Sequence, residues 1–129
     1  QEELQEIMEQ HVGIVRTEKG LQEGINKLNS LSKKLNNLRT TGDRKYNPGW
    51  HLCLDLYNMV TTSKAVALAA LERTESRGAH TRLDFPDYDD KLEKLSVIIR
   101  KGPSSMSVIK AVLAEMPSDL SDFVNQEIV

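Results

Sequence analysis

Apolar residues recur at three- and four-residue steps through three long stretches of this chain, and no other feature limits its fold as strongly. Between Glu2 and Thr17 they fall at Leu4, Ile7, Met8, Ile14 and Val15, with His11 in the same register. Such steps gather side chains on one face of a helix, and that face needs a partner. Between Lys19 and Leu38 the same steps carry Leu21, Ile25, Leu28, Leu31, Leu35 and Leu38. The residues between, Thr17 to Gly20, suit a tight reversal with Thr17 as helix cap, which gives an antiparallel pair. They equally suit a kink in one continuing rod.

Arg39 to Gly49 carries two glycines, a proline and several Asn, Asp and Thr residues, the chemistry of a loop. Asn47-Pro48 then supplies a cap and a first-turn residue for a third helix running to about Glu75. Its apolar residues cover more than one face, and Ala65, Ala67, Ala69 and Ala70 would admit a close neighbour. We expect this long helix to be central. Ser76 to Asp90 loses the helical period, with Gly78 and Pro86 inside a charged run. Lys91–Arg100 and Ser105–Met116 return to short helical patterns around Lys101-Gly102-Pro103-Ser104, and a last helix is expected over Ser118–Gln126. The spacing therefore predicts an all-α fold. A three-helix bundle with its signature loop fills residues 1–90, and two or three short helices extend the same domain over 91–129.

With 129 residues the chain is one domain in size, and 39% hydrophobic and 28% charged residues suit a globular protein. A net charge of −2 with no basic face argues against nucleic-acid binding. No apolar run approaches the ~18–20 residues of a membrane span, so direct membrane insertion is not expected. The lone Cys53 suits a reducing compartment. Because Gln1 already lies inside a periodic pattern, we expect a domain cut from a longer protein.

Chemistry is sparse. His11, His51 and His80 fit no zinc spacing with each other or with Cys53, and no metal site is expected. His51 and Asp55, four apart on one helical face, have a spacing that could support a metal or a hydrogen bond, with a local contact or a solvated pair as the ordinary reading. Cys53 reads as packing. There is no Gly-rich phosphate loop and no Gly-x-Ser-x-Gly elbow. The exception is the run Arg73, Glu75, Arg77, His80, Arg82, Asp84, Asp87, Asp89 and Asp90. Forked arginine donors beside carboxylates can fix one chain segment against another. The plain alternative is an exposed, salt-bridged loop that contributes little to stability.

The string Glu75-Ser76-Arg77-Gly78-Ala79-His80, followed by Arg82, Asp84, Pro86 and Asp89-Asp90, resembles the signature closing the helical domain of succinate dehydrogenase and fumarate reductase flavoprotein subunits. Leu4-Gln-Glu-Ile-Met-Glu-Gln-His11 resembles that domain's start, so the resemblance covers roughly residues 1–90. Beyond Asp90, Lys91-Leu-Glu-Lys-Leu-Ser departs from the family pattern. L-aspartate oxidase has a related domain, and the Asp-Phe-Pro-Asp-x-Asp-Asp run favours the succinate/fumarate branch.

The resemblance implies that FAD, the substrate residues and the capping domain lie upstream of Gln1, with iron–sulfur clusters in a partner subunit. It implies no catalytic, cofactor-binding or metal-binding residue in this piece, which would be inactive alone. The parent would interconvert succinate and fumarate as an electron-transport and tricarboxylic acid cycle enzyme, peripheral on the cytoplasmic face of the membrane through anchor subunits. This piece would buttress the FAD and capping domains, using Arg73, Glu75, Arg77, His80, Arg82 and Asp84 as interdomain contacts. Arg77 and His80 would be the main anchors, and in the excised domain the loop would be exposed and mobile. Uncovered helix faces would leave that excised domain open to adventitious dimerisation. A different class of function also fits the residues: a free-standing helical module that docks a partner through the charged loop.

Overall fold

A computed structural model describes residues 1–117 and Leu120, so the helix expected over Ser118–Gln126 lies outside the described residues. Helix α1 spans Glu2–Val12 and α2 spans Glu18–Leu35. They are joined not by a longer helix but by Gly13 and a two-residue strand, β1, at Val15–Arg16. Thr17 caps α2, its hydroxyl accepting from the Gly20 N–H at 3.1 Å. The chain reverses here: Lys34 near the end of α2 meets Glu3 at the start of α1, at 2.6 Å. The pair packs closely because Gly24 has no side chain, and a Cβ there would lie 2.8 Å from the Cβ of His11.

Helix α3 spans Pro48–Glu72, with the Asn47 side chain accepting from the Trp50 N–H at 3.3 Å and proline at its first position. The core forms where these helices meet. Leu4, Ile7 and Val12 of α1 and Leu56, Val60 and Ala67 of α3 close on Leu21 and Leu28 of α2, both fully buried. Each such leucine contributes about 1.5–3 kcal/mol by leaving water. The middle helix of the three is α2, which packs along both others. The small residues Ser63, Ala67 and Ala70 form the buried stripe of α3, whereas Leu52, Leu54, Tyr57 and Val66 remain exposed.

The expectation of an all-α chain fails in its last third. Among the described residues there, α4 at Asp90–Glu93 is a single helical turn. Two antiparallel strands follow, β3 at Leu95–Lys101 and β4 at Met106–Val112, with Ile98 opposite Ile109 and Arg100 opposite Ser107. The Gly102 N–H to Ser105 carbonyl bond, 2.8 Å, closes the turn. The cause is β-branching: Val97-Ile98-Ile99 and Val108-Ile109 lose side-chain freedom in a helix and pack well on a pleated surface. The hairpin leans on α3, where Lys110 reaches Glu72 at 2.8 Å. A further short strand, β2 at Thr81–Arg82, pairs in parallel with β1, matching Val15 to Thr81 and Arg16 to Arg82. The fold is therefore mixed, a three-helix bundle with a hairpin and a small parallel ribbon.

Candidate functional site

The β1–β2 pairing brings the charged loop to the one end of the bundle where α1 finishes, α2 begins and α3 finishes. Helix ends carry unbonded amides or carbonyls that need partners. Here arginines and carboxylates supply them.

Arg82 is almost fully buried, 1% exposed. Its Nη1 donates to the carbonyls of Ala70, Leu71 and Arg73 at 3.2 Å each, completing the end of α3. Its Nε and Nη2 grip the two oxygens of Asp84 at 2.8 Å, a side-on bidentate pair. Asp84 in turn accepts from the Glu18 N–H at 2.8 Å, at the first turn of α2. Hydrogen bonding from Arg82 outweighs desolvation and, with the Glu18 amide, holds the Asp84 carboxyl well below the usual range. One ion pair thus joins the negative end of α3 to the positive end of α2.

Glu75 is wholly buried and anchors a second cluster. Arg77 donates to both of its oxygens at 3.1 Å, the Asp89 N–H donates at 2.9 Å, and Arg73 adds a further ion pair. Burial alone would push the Glu75 carboxyl up, but bonds from Arg77, the Asp89 amide and Arg73 win and hold it at about 2. Arg73 also donates to the carbonyls of Leu92 (3.3 Å) and Leu95 (2.8 Å), tying the end of α3 to α4 and β3. Arg77 stacks over Tyr88 at 5.0 Å.

His80 sits between two groups that fix its state. Its Nε2 lies 3.1 Å from the Arg73 carbonyl, which can only accept. Its Nδ1 lies 2.6 Å from Nη1 of Arg16, which can only donate. The ring is therefore neutral, with its proton on Nε2. Burial, then the neighbouring Arg16, Arg82 and Arg73 charges, push its pKa down despite the Arg73 carbonyl. The turn bearing it, Arg77-Gly78-Ala79-His80, is closed by bonds of 2.9 and 3.0 Å between Arg77 and His80. Gly78 takes φ +59 there, a left-handed value that suits glycine.

All six expected residues thus converge, but they turn inward. Glu75 and Arg82 are buried and the polar groups of Arg77 and His80 bond within the chain, while Asp84 and the stretch from Leu83 to Tyr88 lie at the exposed surface. Sequence reasoning missed Arg16, which donates to the carbonyls of Gly13 (2.6 Å) and Val12 (3.3 Å) and finishes α1. A basic residue four positions after a helix end was the available signal. His51 and Asp55 are exposed with no bond between them, and Cys53 is half-buried.

A dinucleotide needs a glycine turn opening onto a free helix N-terminus. Here the start of α2 is taken by Thr17 and Asp84, and that of α3 by Asn47.

Residues 1–120 match the family model described as fumarate reductase flavoprotein C-term. The match runs past Asp90, so the departure expected at that point is corrected. The succinate dehydrogenase flavoprotein subunit of Coxiella burnetii is 34% identical over 90 residues, covering 69% of this chain and 15% of that protein. The L-aspartate oxidase of Acinetobacter baylyi is 34% identical over 93 residues, covering 72% of this chain and 16% of the oxidase. Among solved structures, Mycobacterium smegmatis Sdh1 in complex with UQ1 superposes with a TM-score of 0.83 at 35% identity, covering 95% of this chain and 21% of that one. The chain thus spans under a quarter of the length of each of these relatives.

Proposed function

This chain belongs to the family of fumarate reductase flavoprotein C-terminal domains, and from that premise we propose that it braces a longer FAD-dependent flavoprotein that interconverts succinate and fumarate. The family match over residues 1–120 carries the reading. The ionic hub supports it, because its groups are committed to holding helix ends together rather than to chemistry. Residues 91–129 belong to the same domain as an extension of it.

In this reading the FAD and capping domains of the same chain pack against the hub. Arg73, Glu75, Arg77, His80, Arg82 and Asp84 set the loop's shape, which presents Leu83 (65% exposed) and Tyr88 (70% exposed) outward. Electrons leave the flavin for clusters in an iron–sulfur subunit, and the assembly sits on the cytoplasmic face of a membrane through other subunits. Among the described residues no helix is long and apolar enough to cross a membrane.

A second reading, an L-aspartate oxidase, is favoured by the equal identity to the Acinetobacter enzyme. One experiment separates them. The complete coding sequence containing these residues is expressed, and its product is assayed for bound flavin, fumarate-dependent oxidation of a reduced dye, and oxygen-dependent oxidation of aspartate. We expect flavin and fumarate turnover. Flavin with aspartate oxidation selects the second reading, and a product without flavin overturns both.

A further inference from the structure

Charge is matched throughout the hub except at Arg16. Arg82 faces Asp84, Arg73 faces Glu75, and Arg77 lies between Glu75 and Glu93, the latter at 3.9 Å. The bonds of Arg16 go to two carbonyls and to neutral His80. Among the described residues no Asp or Glu forms an ion pair with it. It is half-buried, and burial and the nearby Arg82 charge both push its pKa down. A guanidinium has five N–H donors, so three bonds leave one on each terminal nitrogen of Arg16.

An open depression of about 410 Å³ lies over this group, bounded by Arg16, Arg73, His80 and Ser96 together with Val66, Ala69 and Val97. Arg73 retains its Nε donor, because its bonds all leave from the terminal nitrogens. Concave shape, apolar walls and a few convergent polar groups are the attributes of a ligand site.

We propose that this depression is a carboxylate site, with Arg16 as the primary contact, Arg73 as the second cation, and Val66, Ala69 and Val97 against a short aliphatic chain. A carboxylate matches a guanidinium in shape and offsets its single unmatched charge. The carboxylate comes either from an Asp or Glu side chain elsewhere in the full polypeptide or from a free small carboxylic acid. The site is a binding site and carries no reaction.

Crystals of the full polypeptide, grown without carboxylates at neutral pH and then soaked in butyrate, test this directly. A side-chain carboxylate within about 3 Å of Arg16 in both crystals supports the first source. Butyrate on Arg16 in the soaked crystal alone supports the second, provided that Arg16→Lys weakens butyrate binding in solution at least tenfold. Water or chloride alone in both crystals overturns the proposal. So does butyrate seen only at soaking concentration, as an adventitious additive. Flavin content and fumarate turnover are read separately, so failure here leaves the functional reading untouched.

Discussion

Arg82 and Asp84 lie two residues apart, yet their paired side chains connect the last carbonyls of α3 to the first amide of α2. The pair itself is held by two bonds of 2.8 Å. Removing the carboxylate would therefore strand a buried cation and free a helix amide in one step.

Asp84→Ala should lower stability by about 1–3 kcal/mol, because it leaves the buried Arg82 guanidinium short of its partner while Asp84 itself is partly in water. Urea unfolding gives the value. Arg82→Met combined with Asp84→Ala should be less damaging than the sum of the two single changes, because no charge is then left unpaired. A loss below about 1 kcal/mol for Asp84→Ala would place the pair among weak surface bridges instead.

Glu75 makes stability depend on acid. Its folded carboxyl, at about 2, holds a proton less tightly than the ordinary value of 4.5. The contribution is therefore complete above pH 4.5 and is lost as pH falls toward about 2. Urea midpoints measured from neutral pH down to pH 2 should decline in this window. Glu75→Gln should start lower and decline less steeply.

His80 should stay neutral below the pH at which an ordinary histidine takes up a proton. Because its folded pKa is lowered from 6.5, its contribution is present above that value and is lost as pH falls through the folded one. Imidazole nitrogen shifts recorded by NMR at pH 6.5 should show one proton, on Nε2. A charged ring at that pH would contradict the Arg16–His80 bond.

Gly78→Ala should cost about 1–2 kcal/mol through backbone strain alone, because no atom lies within 4 Å of the added Cβ while φ is +59. Gly78→Asn should cost less, since asparagine tolerates the left-handed region. Thermal unfolding of the two variants settles the order, and equal losses would point to something other than φ.

The three long helices are legible in the sequence because each buries one stripe, and helical spacing reports a stripe directly. Thr17 and Asn47 are legible for the same local reason, as each caps the helix that follows it. The hairpin is not, because Leu92, Leu95 and Ile98 also stand three apart and imitate a helix face. Its strand β3 is half-buried from Leu95 to Ile99, without the alternation that marks a strand with one wet face. The β-branched run and Gly102-Pro103 were the better signals. At the hub, the residue types announce ion pairing, but their inward direction follows from where three helix ends meet. That is a tertiary fact, and Arg16 escapes notice for the same reason.

The bond from Glu18 to Asp84 spans 66 residues. The α1–α2 turn and the β3–β4 hairpin can form from neighbouring residues, whereas this bond must close a long loop first. During synthesis the α1–α2 pair can leave the ribosome and collapse while the amide of Glu18 still faces water. Only after Asp84 has emerged can that amide meet its carboxylate, so this contact must follow the pairing of α1 with α2 in synthesis.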